Sequence, residues 1–147
     1  YFKGSCLEKL NKWQEAKETF KKLIKDNPND AYSMNYLSYS MAIREEKLLS
    51  AKKLILRAIE LRKNNGFFID TLGWIEFKLK NYKKALEHIQ HAVKLEPNSS
   101  EILDHLGDIY LELGRKREAI YEWKKALDGD GDGELKKKIL VKINDQL

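Results

Sequence analysis

The sequence predicts an all-α protein, an α-solenoid of antiparallel helix pairs ending in one C-terminal capping helix. Three observations predict it. Leu72-Gly73 returns as Leu106-Gly107 34 residues later, and Ala85 and Ala92 return at the same interval as Ala119 and Ala126. Within each period, apolar residues recur at three- and four-residue spacings, which is one face of a helix. Pro28, Pro97 and Gly114 fall between the periodic stretches, where one helix must stop and another begin. A fixed period of this size marks a repeat architecture, in which each unit buries its apolar face only against its neighbours.

Residues 1–30 hold Gly4, Leu7, Ala16, Phe20, Leu23 and Pro28, a partial N-terminal repeat that starts inside its first helix. Its uncapped end suggests a longer array and offers a surface for self-association. Residues 31–65 form the first full unit, with Met34, Leu37-Ser38 and Met41 on one helix and Ala51, Ile55 and Ala58 on the next. Leu37-Ser38 precedes Leu72-Gly73 by 35 residues, so one residue is inserted within Arg44–Ser50. Residues 66–99 form the second unit: Ile69, Leu72, Ile75 and Phe77, a break near Asn81, then Ala85, Ile89 and Ala92. Residues 100–133 form the third: Leu103, Leu106, Tyr110 and Leu113, a stop at Gly114, then Ala119, Trp123 and Ala126. The stretches Asn27–Asp30 and Glu96–Ser99 pair a proline that ends a helix with an Asp or Ser that can cap the next. Residues 134–147 leave the period. Leu135, Ile139, Ile143 and Leu147 make one stripe, the expected capping helix of a single solenoid domain. Gly73 and Gly107 stand mid-helix, where glycine is costly, and so mark close helix–helix contact.

Composition sets outer bounds. The 147 residues are 42% hydrophobic, enough for a core, so general disorder is excluded. No apolar run approaches the roughly 18 residues a membrane helix needs. Cys6 is the single cysteine and cannot form an internal disulfide. The net charge of +5 is uneven: residues 1–65 carry 14 Lys/Arg against 8 Asp/Glu, and residues 66–133 carry 10 against 13. That reversal argues against a continuous nucleic-acid track. No secretory signal is visible, so the compartment stays open between cytoplasm and periplasm.

The pattern resembles the tetratricopeptide repeat, whose signature is a large residue, Leu-Gly and Tyr, then Ala, an aromatic, Ala and Pro. The third unit matches at Leu103, Leu106-Gly107, Tyr110, Ala119, Trp123 and Ala126, with Gly131 in place of Pro. The second matches at Ile69, Leu72-Gly73, Ala85, Ile89, Ala92 and Pro97, with Glu76 in place of Tyr. The first departs more, with Ser38 for Gly, Met41 for Tyr and Lys63 for Pro. The segments Asp70–Trp74 and Asp104–Asp108 are similar to those of bacterial members. The resemblance implies a right-handed superhelix and a non-enzymatic, peptide-binding scaffold whose first helices line a concave groove. By register, that groove takes Tyr32, Asn35, Tyr36 and Tyr39, then Phe67, Asp70, Thr71, Trp74 and Phe77, then Glu101, Asp104, His105, Asp108 and Leu111. Phe67 and Phe77 read more simply as core between repeats, whereas Tyr36, Tyr39, Trp74 and Asp104 together are expected outside the core, whose ladder other residues supply. The partner is then a protein or peptide with apolar anchors and Lys or Arg. Some family members clamp a chaperone's C-terminal carboxylate with Lys, Asn and Arg. The matching places here hold Asn35, Tyr39, Thr71, Glu101 and His105, without the basic members, which argues against that partner.

Other chemistry is sparse. No phosphate loop, nucleophile elbow or zinc-finger spacing occurs, and no catalytic residue or cofactor is expected. His88 and His91, beside Glu87, have a spacing that can hold a metal but read more simply as outward polar residues. Asp128, Asp130, Asp132 and Gly133 match the opening of a calcium loop. Ile139 stands where the closing bidentate Glu belongs, so they are weak metal candidates at best. Two alternatives accompany the scaffold reading. One is a nucleic-acid-binding helical repeat using Lys9, Lys12, Lys17, Lys21, Lys22 and Lys25, which lack interleaved aromatics. The other is an accessory interaction domain of a larger protein.

Overall fold

The computed structural model describes residues 12–147, and among them are eight α-helices and no strand. They are α1 (Trp13–Asp26), α2 (Ala31–Ile43), α3 (Leu48–Leu61), α4 (Gly66–Lys78), α5 (Tyr82–Leu95), α6 (Ser100–Glu112), α7 (Lys116–Leu127) and α8 (Gly133–Gln146). Gly4, Cys6, Leu7 and Lys9, and the open N-terminal end invoked for self-association, lie outside the described residues. The chain divides into two compact units, one ending at Lys63 and the other running from Asn64 to Leu147.

Helix starts follow a rule that alternates along the chain. Each first helix, and α8, begins at a polar side chain that accepts from its own first-turn amides. Asp30 accepts from Ser33 N, Asn65 from Phe67 N and Phe68 N, Ser99 from Ile102 N, and Asp132 from Leu135 N. These caps satisfy amides that would otherwise have no partner. The second helices α3, α5 and α7 have no side-chain cap bond and emerge directly from tight turns. In those turns Glu46 N donates to Met41 O, Asn81 N to Glu76 O and Arg115 N to Tyr110 O, at 2.9, 2.9 and 2.8 Å. This six-to-one bond closes a Schellman-type end. It needs one left-handed residue, supplied by Glu45, Lys80 and Gly114 with φ of 52°, 67° and 76°. The residue inserted in the first full unit appears as a second left-handed position, Lys47 with φ 46°, immediately before α3.

In the unit ending at Lys63, α2 packs on α3 and α1 packs on α2. Its core holds Ala16, Phe20, Met34, Ala51, Ile55 and Ala58, all fully buried. Glu46 ties the α2–α3 turn to α1 by accepting from Trp13 Nε1 and Lys17 Nζ, which holds its carboxyl below the usual glutamate range. In the unit from Asn64, α4 pairs with α5 and α6 with α7. There α8 packs against α7 and α6 just as α6 packs against α5 and α4, so the C-terminal helix takes the place of a further first helix.

The glycines mark where paired helices approach. A Cβ on Gly107 would lie 2.2 Å from Trp123 Nε1, and one on Gly73 would lie 2.6 Å from Ile89 Cδ1. The indole of Trp123 also donates to the Asp104 carbonyl at 3.3 Å, which fixes the ring across the helix. Ser38 holds the matching place in the first full unit; it is fully buried and its hydroxyl has no hydrogen-bond partner.

Gly107→Ala should therefore destabilise the protein by about 1–3 kcal/mol, because a rigid, bonded indole cannot yield. Gly73→Ala should cost less, since the atom it meets is the tip of a flexible isoleucine. Urea unfolding of both variants tests the order; equal losses would mean that Trp123 is not the wall.

The candidate binding face of the first helices

On α2, Tyr32 is exposed, and Asn35, Tyr36 and Tyr39 are half-buried. The Tyr36 ring stacks on Phe20 of α1 with centroids 4.6 Å apart, so one of its faces belongs to the core. Arg62 lies over the Tyr32 ring at 5.8 Å.

In the unit from Asn64 to Leu147, the register residues of α4 and α6 turn toward each other. Asp70, Thr71, Trp74, Asp104 and His105 are buried, whereas Phe67 and Glu101 stay exposed and Phe77, Asp108 and Leu111 are half-buried. The expectation that Trp74 and Asp104 stand outside the core is corrected here: Trp74 is only 9% exposed, and Asp104 on α6 only 8%. The cause is geometric. Helices α4, α6 and α8 lie side by side, so the stripe that the Leu-Gly-Ala ladder leaves over becomes a second seam between first helices. The Trp74 indole stacks on Phe77 at 4.7 Å and on the His105 imidazole at 4.1 Å.

The charges of this seam pair across it. His105 Nδ1 lies 2.9 and 3.1 Å from the two carboxylate oxygens of Asp70. Burial alone would lower the imidazole, but Asp70, with further help from Glu101 and Asp104, outweighs it and raises His105 to about 9. The ring is thus an imidazolium at neutral pH, donating to Asp70. Lys142 of α8 donates to Asp104 at 2.9 Å and to both oxygens of Asp108 at 3.0 and 3.1 Å. Burial and the neighbouring Asp104 carboxylate raise Asp108 despite that ammonium. Lys142, which burial would lower, is raised by the same two carboxylates. Three of the four acids expected to meet a partner's cation are therefore matched by bases of this chain. Lys142 is the residue that sequence reasoning missed. It lies 34 positions after Asp108, in the register of a first helix, but on a segment read only as a cap.

The Asp128–Gly133 loop is a clasp. Asp130 Oδ1 accepts from Ser100 N at 3.1 Å, Asp130 N donates to Asn98 O at 2.9 Å, and Ser100 Oγ donates to Ala126 O at 2.7 Å. Asp132 caps α8, and Asp128 ends α7. Among the described residues, Asp128, Asp130 and Asp132 do not join a group of converging ligand atoms, because two of them point at different helix starts. Of the N-terminal lysines, Lys17 is paired with Glu46, and Lys21 stands 3.9 Å from Glu18. His88 is half-buried and His91 exposed on α5.

Two outcomes follow from the seam. Trp74→Ala removes a buried ring and should cost about 3–5 kcal/mol, read as a lowered urea midpoint. The raised His105 gives stability that is fully present below its unfolded value near 6.5 and is lost as pH rises through about 9. Unfolding midpoints should fall across that window in the parent and stay flatter in His105→Gln; parallel profiles would sink the ion pair.

The tetratricopeptide repeat family matches this chain over residues 3–30, 68–99 and 100–128. A TPR repeat-containing protein of Pseudomonas aeruginosa is 27% identical over 74% of this chain, which spans 18% of that protein. Hsp70-Hsp90 organizing protein 1 of Glycine max is 35% identical over 69% of this chain, again spanning 18% of its length. The ancillary SecYEG translocon subunit of Buchnera aphidicola is 27% identical over 96% of this chain and 59% of its own. Among solved structures, a thermophilic TPR protein of Thermus thermophilus superposes with a TM-score of 0.83 at 22% identity, covering 97% of this chain and 77% of that one. MamA of Desulfovibrio magneticus gives 0.70 at 20% identity, over 92% and 72%. Repeat period, paired helices, glycine contacts and these likenesses agree: the chain belongs to the tetratricopeptide repeat family and has its all-α solenoid fold.

Proposed function

We propose that the chain is a non-enzymatic scaffold that holds a protein segment on its first helices. The observation that carries this is the second unit's stripe. Its charged and aromatic members are locked pairwise in the seam, and Phe67 and Glu101 remain open at its edge. An exposed aromatic on a preformed, rigid surface supplies contact area at low entropic cost. Glu101 is the carboxylate of that stripe left to receive a Lys or Arg of the partner. On the other unit, Tyr32 is the exposed aromatic of the corresponding stripe. Two relatives are named for working with other proteins, a chaperone organiser and a translocon subunit, and that supports a protein partner. The absence of Lys and Arg at Asn35, Tyr39, Thr71, Glu101 and His105 argues against capture of a chaperone's terminal carboxylate.

The test is a peptide selected from a display library against the whole chain. Phe67→Ala should weaken that peptide by about 2 kcal/mol if the ring is a hot spot. Glu101→Lys should chiefly slow association and change its salt dependence. A selected peptide that binds both variants like the parent would place the binding surface elsewhere.

A further inference from the structure

Among the described residues, one group of three ligand-type side chains converges. Asp70 of α4 and Glu101 and His105 of α6 each offer an atom, and these atoms lie within 4.8 Å of one another. Glu101 and His105 are four residues apart on one helix face, and Asp70 reaches them from the neighbouring helix. The imidazole is fixed on two sides, by the Trp74 ring 4.1 Å away and by the Asp70 oxygens at 2.9 and 3.1 Å. Asp70 and His105 form a buried floor, and Glu101 forms an exposed rim through which an ion and its waters can enter.

We propose that Asp70, Glu101 and His105 form a divalent-cation site that takes zinc. One imidazole and two carboxylates are a fitting donor set for a borderline first-row ion, with open positions left to water. Donors about 2.0–2.1 Å from a tetrahedral zinc stand roughly 3.3 Å apart, so Asp70 and His105 need only open slightly, and Glu101 has a free side from which to swing in. On binding, Zn2+ accepts a lone pair from the His105 imidazole, and any proton carried by that nitrogen leaves to solvent, so charge and atoms balance. The Lys142–Asp104–Asp108 cluster keeps the next acids occupied, which confines the ion to this triad. The site shares Glu101 with the peptide reading, but zinc binding is measured without any partner, so the two readings fail separately.

The experiment is calorimetric titration of the whole chain with ZnCl2, in two buffers of different ionisation enthalpy, with a parallel thermal-unfolding scan. One ion per chain is expected, with a raised unfolding midpoint. Glu101→Gln should weaken zinc by about tenfold or more, each variant's zinc-induced shift being read against its own metal-free midpoint. His105→Gln should abolish binding. His88→Ala with His91→Ala should leave it unchanged. No heat with zinc overturns the proposal, as does binding that survives Glu101→Gln or vanishes with His88 and His91.

Discussion

The contact on which the second unit depends is the near-touch of α6 and α7 at Gly107 and Trp123, with its lighter copy at Gly73 and Ile89. Because nothing larger than hydrogen fits there, the two helices of a pair can meet at one height only. That height fixes the turn between them, and the turn fixes where the next helix starts. The side-by-side placement of α4, α6 and α8 is a consequence of this register, and with it the facing of Asp70 on His105 and of Asp104 and Asp108 on Lys142. A seam of charges between helices cannot assemble by charge alone, since burying them is expensive. Here the apolar ladder brings them together, and each then finds a partner.

This seam also changes what a first-helix face is. The residues that line it are a half-buried ion-pair network with an aromatic stack beside it, and the surface available to another molecule is its edge. Rigidity is the gain. Trp74 and His105 hold each other, His105 holds Asp70, and the exposed Phe67 and Glu101 project from a framework with few loose rotamers. The edge thus presents one aromatic ring and one carboxylate to solvent.

The fold was legible because its determinants are local and repeat. Leu72-Gly73 and Leu106-Gly107, the alanines at 85, 92, 119 and 126, and the prolines carry period and pairing without any knowledge of the third dimension. The one-residue insertion was legible for the same reason, and it emerges as the left-handed Lys47. The site was only half legible. Register put Asp70, Trp74, Asp104 and His105 on one stripe, but it could not show that neighbouring first helices press that stripe together and bury it. Nor could it show that Lys142 would enter from α8, because a cap defined by its apolar stripe hides what its polar side touches. In the acidic loop the missing closing Glu already spoke against an ion, and Asp130 and Asp132 serve the starts of two helices.

The turn geometry has a consequence for how such a chain can vary. Glu45, Lys80 and Gly114 occupy one equivalent left-handed position, and only the last is a residue suited to it. Glu45, Lys47 and Lys80 keep a conformation that disfavours their side chains, by about 1 kcal/mol or so each. Lys80 and Gly114 follow the C-terminal ends of α4 and α6, whereas Phe67 and Glu101 lie in the first turns of those helices. Length in these corners can therefore drift, as the additional Lys47 shows, provided that a residue such as Glu46 keeps its hold on the neighbouring helix.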